Sequence, residues 1–350
     1  MRLIDDKQIR NILVRCTNWV GDCIMTTPAL KVIRENFPSA RISALAKPWV
    51  RDVLVANPSV DEVISYGDEY RGLKGQMRLA GELSLKGFDL AILLQNAFEA
   101  AWITRLAGIP RRAGYNTDAR SLLLTHKVVL KKETRKIHQV YYYLRMLEGL
   151  GLDITGREPE LFLQPQNSDA LSIERILIEE RAGHKPFLIG INPGAAYGPA
   201  KRWLPEYFLE VIRRLVKATG CKVIIFGTKA DYGIGEEARL ASPDRVLNLA
   251  GRTTLGEAIA AIAQCRVFVT NDSGLMHVGA ALNVPLVAIF GSTNPVTTGP
   301  FSRRARIIRK EFDCSPCLKT VCPSDFRCMK SIRPEEVFDA VVKLIEEYGN

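Results

Sequence analysis

No stretch of the 350-residue sequence stays apolar for long enough to span a bilayer. A helical membrane protein is therefore excluded. The opening residues MRLIDDKQIR are charged and lack a hydrophobic signal core, so a cytosolic protein is expected. Histidine is scarce, at four residues, and no HExxH occurs. A catalytic metal site built on histidine is thus disfavoured. G-x-S-x-G is missing, as is G-x-x-x-x-G-K-[ST], and no strand runs straight into G-x-G-x-x-G. Hydrolase, P-loop and nicotinamide readings lose their support with them. GIGEEA at residues 233–238 fits only the looser G-x-G-x-x-A, away from a strand end. No repeat is strict enough for a solenoid.

What is present suits a soluble α/β protein. The length allows two domains at ~150 residues each. Hydrophobic residues make up 47% and charged ones 25%, which is ordinary for a globular chain. The net charge of +10 favours anionic partners. Nucleic acid is disfavoured, because no stacking motif or known binding pattern accompanies the charge.

Strand and helix signals alternate. Strands are predicted at residues 9–15, 41–46, 60–64 and 88–96, with helices over 24–37, 48–56 and 76–85. Pro28 would then sit near the first turn of its helix. A polar, basic stretch follows over 111–136, then a helix over 137–150 containing Tyr141, Tyr142 and Tyr143. Residues 152–169, with Gly156, Pro159 and Pro165, read as a linker. The pattern then restarts. Strands are predicted at 187–191, 221–226, 246–249, 267–270 and 286–290, and helices over 174–183, 205–219, 254–265 and 275–282. A last amphipathic helix covers 334–348, with Val337, Val341, Leu344 and Ile345 on one face. Such alternation predicts parallel sheets covered on both faces. The expected domains are 1–165 and 166–333, both Rossmann-like, with 334–350 packing back on the first.

Three polar turns fall at the carboxyl ends of predicted strands, where open α/β sheets bind ligands. The turn NDSGLMH (271–277) opens a helix, and its free N–H groups suit an anion. Ser273 adds a hydroxyl, Gly274 allows close approach, and His277 lies in the first turn. An ordinary capped crossover explains the same residues. The turn PGAAYGPAKRW combines Gly194 and Gly198 with Lys201 and Arg202, a loop suited to a diphosphate. The first turn, CTNWVGDC, offers Asp22 as a helix cap or as a general base.

NWVGDCIMTTPAL, PGAAYGPAKRW and NDSGLMHVGAALNVPLVAIFG, in this order, resemble the lipopolysaccharide heptosyltransferases of glycosyltransferase family 9. The C-terminal CSPCLKTVCPSDFRCMK narrows the likeness to the branch that adds the second heptose. The resemblance spans nearly the whole chain. It implies a glycosyltransferase-B fold, two Rossmann-like domains facing a central cleft. It also implies inverting transfer of L-glycero-D-manno-heptose from ADP-heptose to the heptosyl-Kdo2-lipid A inner core. Asp22 then matches the catalytic base, and Lys201 the lysine on the ADP phosphates. Asp272, Ser273, Gly274 and His277 match the donor turn, with Gly194 beside Lys201. The adenine pocket would lie near Thr254 and Leu255, and the ribose contact is Asp231, Glu236 or Glu237. No cofactor is required on this reading.

Arg111, Arg112 and Arg120 lead a run of cations that suits an acidic acceptor or a solvated face. Residues 303–310 hold a second basic run, either solvated or touching the cytosolic face of the inner membrane. Cys314, Cys317, Cys322 and Cys328 show C-x2-C-x4-C-x5-C spacing. This fits a structural zinc site, reduced thiols or labile disulfides. Two other readings stay open: a family 9 enzyme with another acceptor, and a non-catalytic nucleotide-sugar-binding protein.

Overall fold

Aliphatic runs bounded by polar turns become most of the strands of the computed structural model, which describes residues 4, 9–156, 158–180 and 187–348. Two units divide the chain, Met1–Leu163 and Gln164–Asn350. The first holds β1 (Asn11–Arg15), α1 (Val20–Met25), α2 (Thr27–Asn36), β2 (Arg41–Ala46), α3 (Arg51–Leu54), β3 (Glu62–Ser65) and α4 (Gly72–Ser84). It continues through β4 (Leu90–Leu93), α5 (Phe98–Leu106), β5 (Arg111–Tyr115), β6 (His126–Val128) and α6 (Gln139–Gly149). The second begins with α7 (Asn167–Glu179), β7 (Leu188–Asn192), α8 (Pro205–Thr219), β8 (Lys222–Ile225), α9 (Tyr232–Ala241) and β9 (Val246–Asn248). Then come α10 (Leu255–Ile262), β10 (Val267–Asn271), α11 (Gly274–Ala281), β11 (Leu286–Phe290), α12 (Pro295–Thr298), β12 (Ala305–Arg309), α13 (Arg327–Lys330) and α14 (Pro334–Tyr348).

The sheets run β3-β2-β1-β4-β5-β6 and β12-β11-β10-β7-β8-β9. The pairings are parallel, as between β1 and β4 and between β7 and β10. Counted from its own first strand, each sheet has the same order, 3-2-1-4-5-6. The winding direction reverses between β1 and β4, and again between β7 and β10. Central strands are buried on both faces, as in β10 and β11. Separate cores form around Leu13, Leu45, Leu83 and Leu93 in one unit and Ile191, Phe208, Val269 and Ile289 in the other.

Several expectations change. The helix expected over 24–37 breaks at Thr26, and Pro28 falls in the first turn of α2, where its missing N–H costs nothing. Residues 48–56 give a 3-10 turn and the short α3. Strands β5 and β6 emerge from the basic stretch, and β12 from the second basic run. GIGEEA lies within helix α9 and is no phosphate turn. The helix expected over 174–183 is α7, and residues 181–183 lie outside the described ones.

The last helix helps to build the second core. Val337, Val341 and Leu344 of α14 are buried in the second unit's own core, against α8 and the second sheet. Its apolar face is thereby used within that unit. Its polar flank meets the edge strand: Glu347 binds Arg306 at 2.6 Å and Glu336 binds Lys310 at 2.5 Å. The second basic run is thus a strand partly neutralised by α14.

Candidate active site

In the second unit the loops after β7 and β10 leave adjacent strands at the reversal point, so a space opens between them at the carboxyl edge. Asparagines at the two strand ends set these loops. Asn271, fully buried, accepts from the Trp203 N–H at 3.0 Å and donates to the Pro193 carbonyl at 2.7 Å. Asn192 donates to the hydroxyls of Thr270 at 3.0 Å and Ser273 at 2.8 Å. Ser273 is the N-cap of α11, yet its hydroxyl makes no cap bond to that helix. The amino end of α11 therefore keeps its character as an anion site.

Between these loops lies a buried ion pair. Lys201 Nζ stands 2.6 Å from Asp272 Oδ2, with side-chain exposures of 13% and 4%. The same ammonium lies 4.7 Å from the Tyr197 ring centroid. Thr293, just past β11, donates to the same Asp272 oxygen at 2.5 Å. Removing one partner of such a pair typically costs about 3–5 kcal/mol. Lys201 therefore offers a rigidly placed, poorly hydrated cation at a helix N-terminus, which suits a diphosphate.

Gly194 is needed for packing. A Cβ there would come within 2.5 Å of Asp231 Oδ2. Asp231 is buried and caps its own turn, accepting from the Thr228 N–H and hydroxyl at 2.9 Å each. Of the three acidic candidates, Asp231 alone sits in the turn after β8. Glu236 pairs with Arg239 within α9, and Glu237 is exposed on the same helix. Leu255 opens α10 behind a capping box of Thr254 and Glu257. His277 is buried in α11.

The cysteine segment backs the Lys201 loop. Tyr197 donates to the Leu318 carbonyl at 2.9 Å, and the Ala200 N–H to the Thr320 carbonyl at 3.0 Å. Leu318 is tied in turn to the Ser292 carbonyl at 2.8 Å. The four cysteines differ in exposure. Cys314 is exposed, Cys317 and Cys322 are half-buried, and Cys328 is buried beside Met329 in the core. Burial pushes the Cys328 thiol up, whereas hydrogen bonding to Ser324 brings the Cys322 thiol down. Among the described residues no group of three or more His, Cys, Asp or Glu side chains is placed to hold a metal ion. A structural zinc is therefore unsupported, and the segment straps the Lys201 loop.

In the first unit Asp22 is the third residue of α1, half-buried, on the loop side of β1. The loop before it is pinned by Arg15, the last residue of β1. The Arg15 guanidinium binds the Cys16 carbonyl, the Tyr66 hydroxyl and, at 3.1 Å, Asn18 Oδ1. Burial lowers Arg15 to about 10. Trp49 Nε1 donates to the Asn18 carbonyl at 2.7 Å, and Lys47 Nζ sits 3.9 Å from the Tyr66 ring centroid. Sequence reading missed these anchors, and a charged residue closing an apolar strand was the available signal.

Two predicted acceptor arginines have other work. Arg112 is buried, with its guanidinium on the Leu123 carbonyl at 2.7 Å and on the Ile109 carbonyl. Arg120 is fully buried and holds the Tyr115 carbonyl at 2.8 Å, the Gln95 carbonyl at 2.5 Å and Asn96 Oδ1 at 2.5 Å. It fixes the turn after β4. Arg111 begins β5, at the amino edge of the sheet, opposite to the edge where ligands bind. The exposed cations of this stretch are Lys127, Lys131, Lys132, Arg135 and Lys136.

The family model of glycosyltransferase family 9 (heptosyltransferase) matches residues 76–326. The chain belongs to glycosyltransferase family 9. Lipopolysaccharide heptosyltransferase 2 of Escherichia coli (strain K12) is 37% identical over 317 residues, 85% of this chain and 87% of that protein. The protein of the same name from Salmonella typhimurium is 34% identical over 348 residues, 97% of this chain and 99% of that one. A solved structure of the E. coli ADP-heptose lps heptosyltransferase II is 31% identical, with a TM-score of 0.81. The match covers 97% of this chain and 100% of that one. This family 9 chain is therefore a glycosyltransferase, built on two parallel sheets as its sequence implied, each of six strands. Among its described residues no helix is long and apolar enough to cross a membrane.

Proposed function

We propose that this glycosyltransferase moves L-glycero-D-manno-heptose from ADP-heptose to the heptosyl-Kdo2-lipid A inner core, inverting the anomeric centre. The observation that carries this reading is the buried Lys201–Asp272 pair at the mouth of α11. The pair suits a diphosphate, in a chain similar over most of its length to heptosyltransferases 2.

In the proposed mechanism Asp22 takes the proton from the acceptor hydroxyl. That oxygen attacks the anomeric carbon, and the bond to ADP breaks. Negative charge then grows on the diphosphate. Lys201, the amino end of α11 and the Ser273 hydroxyl meet it there. Acceptor phosphates and Kdo carboxylates are assigned to the exposed cations of residues 127–136. On this reading the enzyme meets its lipid-linked acceptor in the cytoplasm, at the inner-membrane surface.

The test is ADP release from ADP-heptose with and without heptosyl-Kdo2-lipid A, with product mass and linkage determined. Acceptor-dependent release supports the proposal, and tight donor binding without release refutes it. Asp22→Asn is expected to keep ADP-heptose affinity within about threefold and to lower kcat by roughly 10²–10⁴-fold. A variant turning over near the wild-type rate removes Asp22 from the mechanism.

A further inference from the structure

Lys201 is already engaged. Its ammonium sits 2.6 Å from Asp272 Oδ2, both side chains are nearly buried, and a ligand phosphate must share or take that charge. Asp272 then needs another donor, because a buried carboxylate oxygen without one is costly. Thr293 supplies it. Its hydroxyl donates to the same Oδ2 at 2.5 Å and is itself buried. Thr293 reaches this point from the end of β11, the sheet neighbour of the strand that ends before Asp272.

Resting on the donor-site reading above, we propose that Thr293 is a positioning residue for the donor diphosphate. It acts through Asp272 on Lys201. An ammonium has three N–H donors, so Lys201 can hold Asp272 and a phosphate oxygen together. With Thr293 in place, Asp272 draws only part of its hydrogen bonding from Lys201, and the ammonium turns readily toward the ligand. Without the hydroxyl, the carboxylate depends on Lys201 and holds it back. Thr293 therefore tunes how much of the lysine's charge the phosphates receive. It touches neither the sugar nor the adenine on this account.

The experiment compares binding of ADP and of adenosine, by calorimetry, to the full chain carrying Thr293→Val, Thr293→Ser or no change. Valine keeps the shape and loses the hydroxyl, and serine keeps the hydroxyl. Loss of a hydrogen bond to a charged group corresponds to about tenfold or more in affinity. Thr293→Val is expected to weaken ADP about tenfold and adenosine less than twofold. Its kcat/KM for ADP-heptose should fall at least in step, because Lys201 also meets the charge that grows on the leaving diphosphate. Thr293→Ser should restore both. In a Lys201→Met background the valine substitution should cost ADP binding less than twofold. A Thr293→Val chain that binds ADP as wild type does overturns the proposal. So does one that loses adenosine equally, or loses as much ADP affinity without Lys201. If the valine variant melts early, Thr293→Ala carries the same comparison. Wild-type protein that binds neither ADP nor adenosine overturns the donor-site reading, and the proposal with it.

Discussion

Gly198 is held at φ +153°, and a Cβ there would stand 2.4 Å from the Thr320 carbonyl oxygen. Backbone cannot yield as a flexible side chain can. Gly198→Ala is therefore expected to cost about 1–3 kcal/mol and to weaken ADP at least several-fold, read by urea unfolding and calorimetry. Gly233 is the control. It lies in α9, and a Cβ at this position would meet nothing within 4 Å. Gly233→Ala should thus be neutral or stabilising by up to about 1 kcal/mol. At this scale the sequence was uneven. Lys201, Asp272 and Gly194 were legible because cations, carboxylates and glycines at strand ends carry recognisable chemistry. Asn192, Asn271 and Thr293 were not, since a polar residue ending a strand looks like any turn. Arg112 and Arg120 were misread because counting charges does not reveal which backbone carbonyls a guanidinium reaches.

The N-terminus of α10 shows how an element is held. Thr254 accepts from the Glu257 N–H at 3.2 Å, and Glu257 accepts from the Thr254 N–H at 2.8 Å. Glu257 also accepts from Ser172 on α7 at 2.6 Å, so the box ties two helices together. Hydrogen bonding from Ser172, then from the Thr254 N–H, holds the Glu257 carboxyl below its ordinary value. The folded state then binds this proton more weakly than the unfolded one. The contribution is present above the ordinary glutamate range, about 4.3. It is lost as pH falls through the lower folded value. Glu257→Gln should cost about 1 kcal/mol at pH 7 and less at pH 3, measured by urea unfolding at both. Elements were legible where apolar runs were long, as in β10, α11 and β11. They were hidden where arginines made the strand: β5 reads RRAGY and β12 reads ARIIR. The break at Thr26 was hidden because apolar spacing continues across it.

Each unit of the whole molecule has its own sheet and its own core. Calorimetry is therefore expected to resolve two unfolding transitions. ADP should raise only the one belonging to residues 164–350, by about 2.7 kcal/mol at a hundred times Kd. Equal shifts in both, or a shift in the other alone, would contradict the assignment of the diphosphate to the second unit. The alternation of strand and helix made this two-part plan readable from the sequence. The place of the final helix was not, because an amphipathic face states that it will be covered and not by what.

The shared strand order has a geometric meaning. β1 and β7 occupy the same place in their sheets, and so do β4 and β10. The loop leading to Asp22 and the loop carrying Lys201 are thus counterparts, as are the turn at Gln95 and Asn96 and the turn at Asp272 and Ser273. One winding scheme thus sets two equivalent loop pairs at carboxyl edges. The residues that end the strands, Asn192 and Asn271 in one sheet and Arg15 and Leu93 in the other, make the two mouths chemically different.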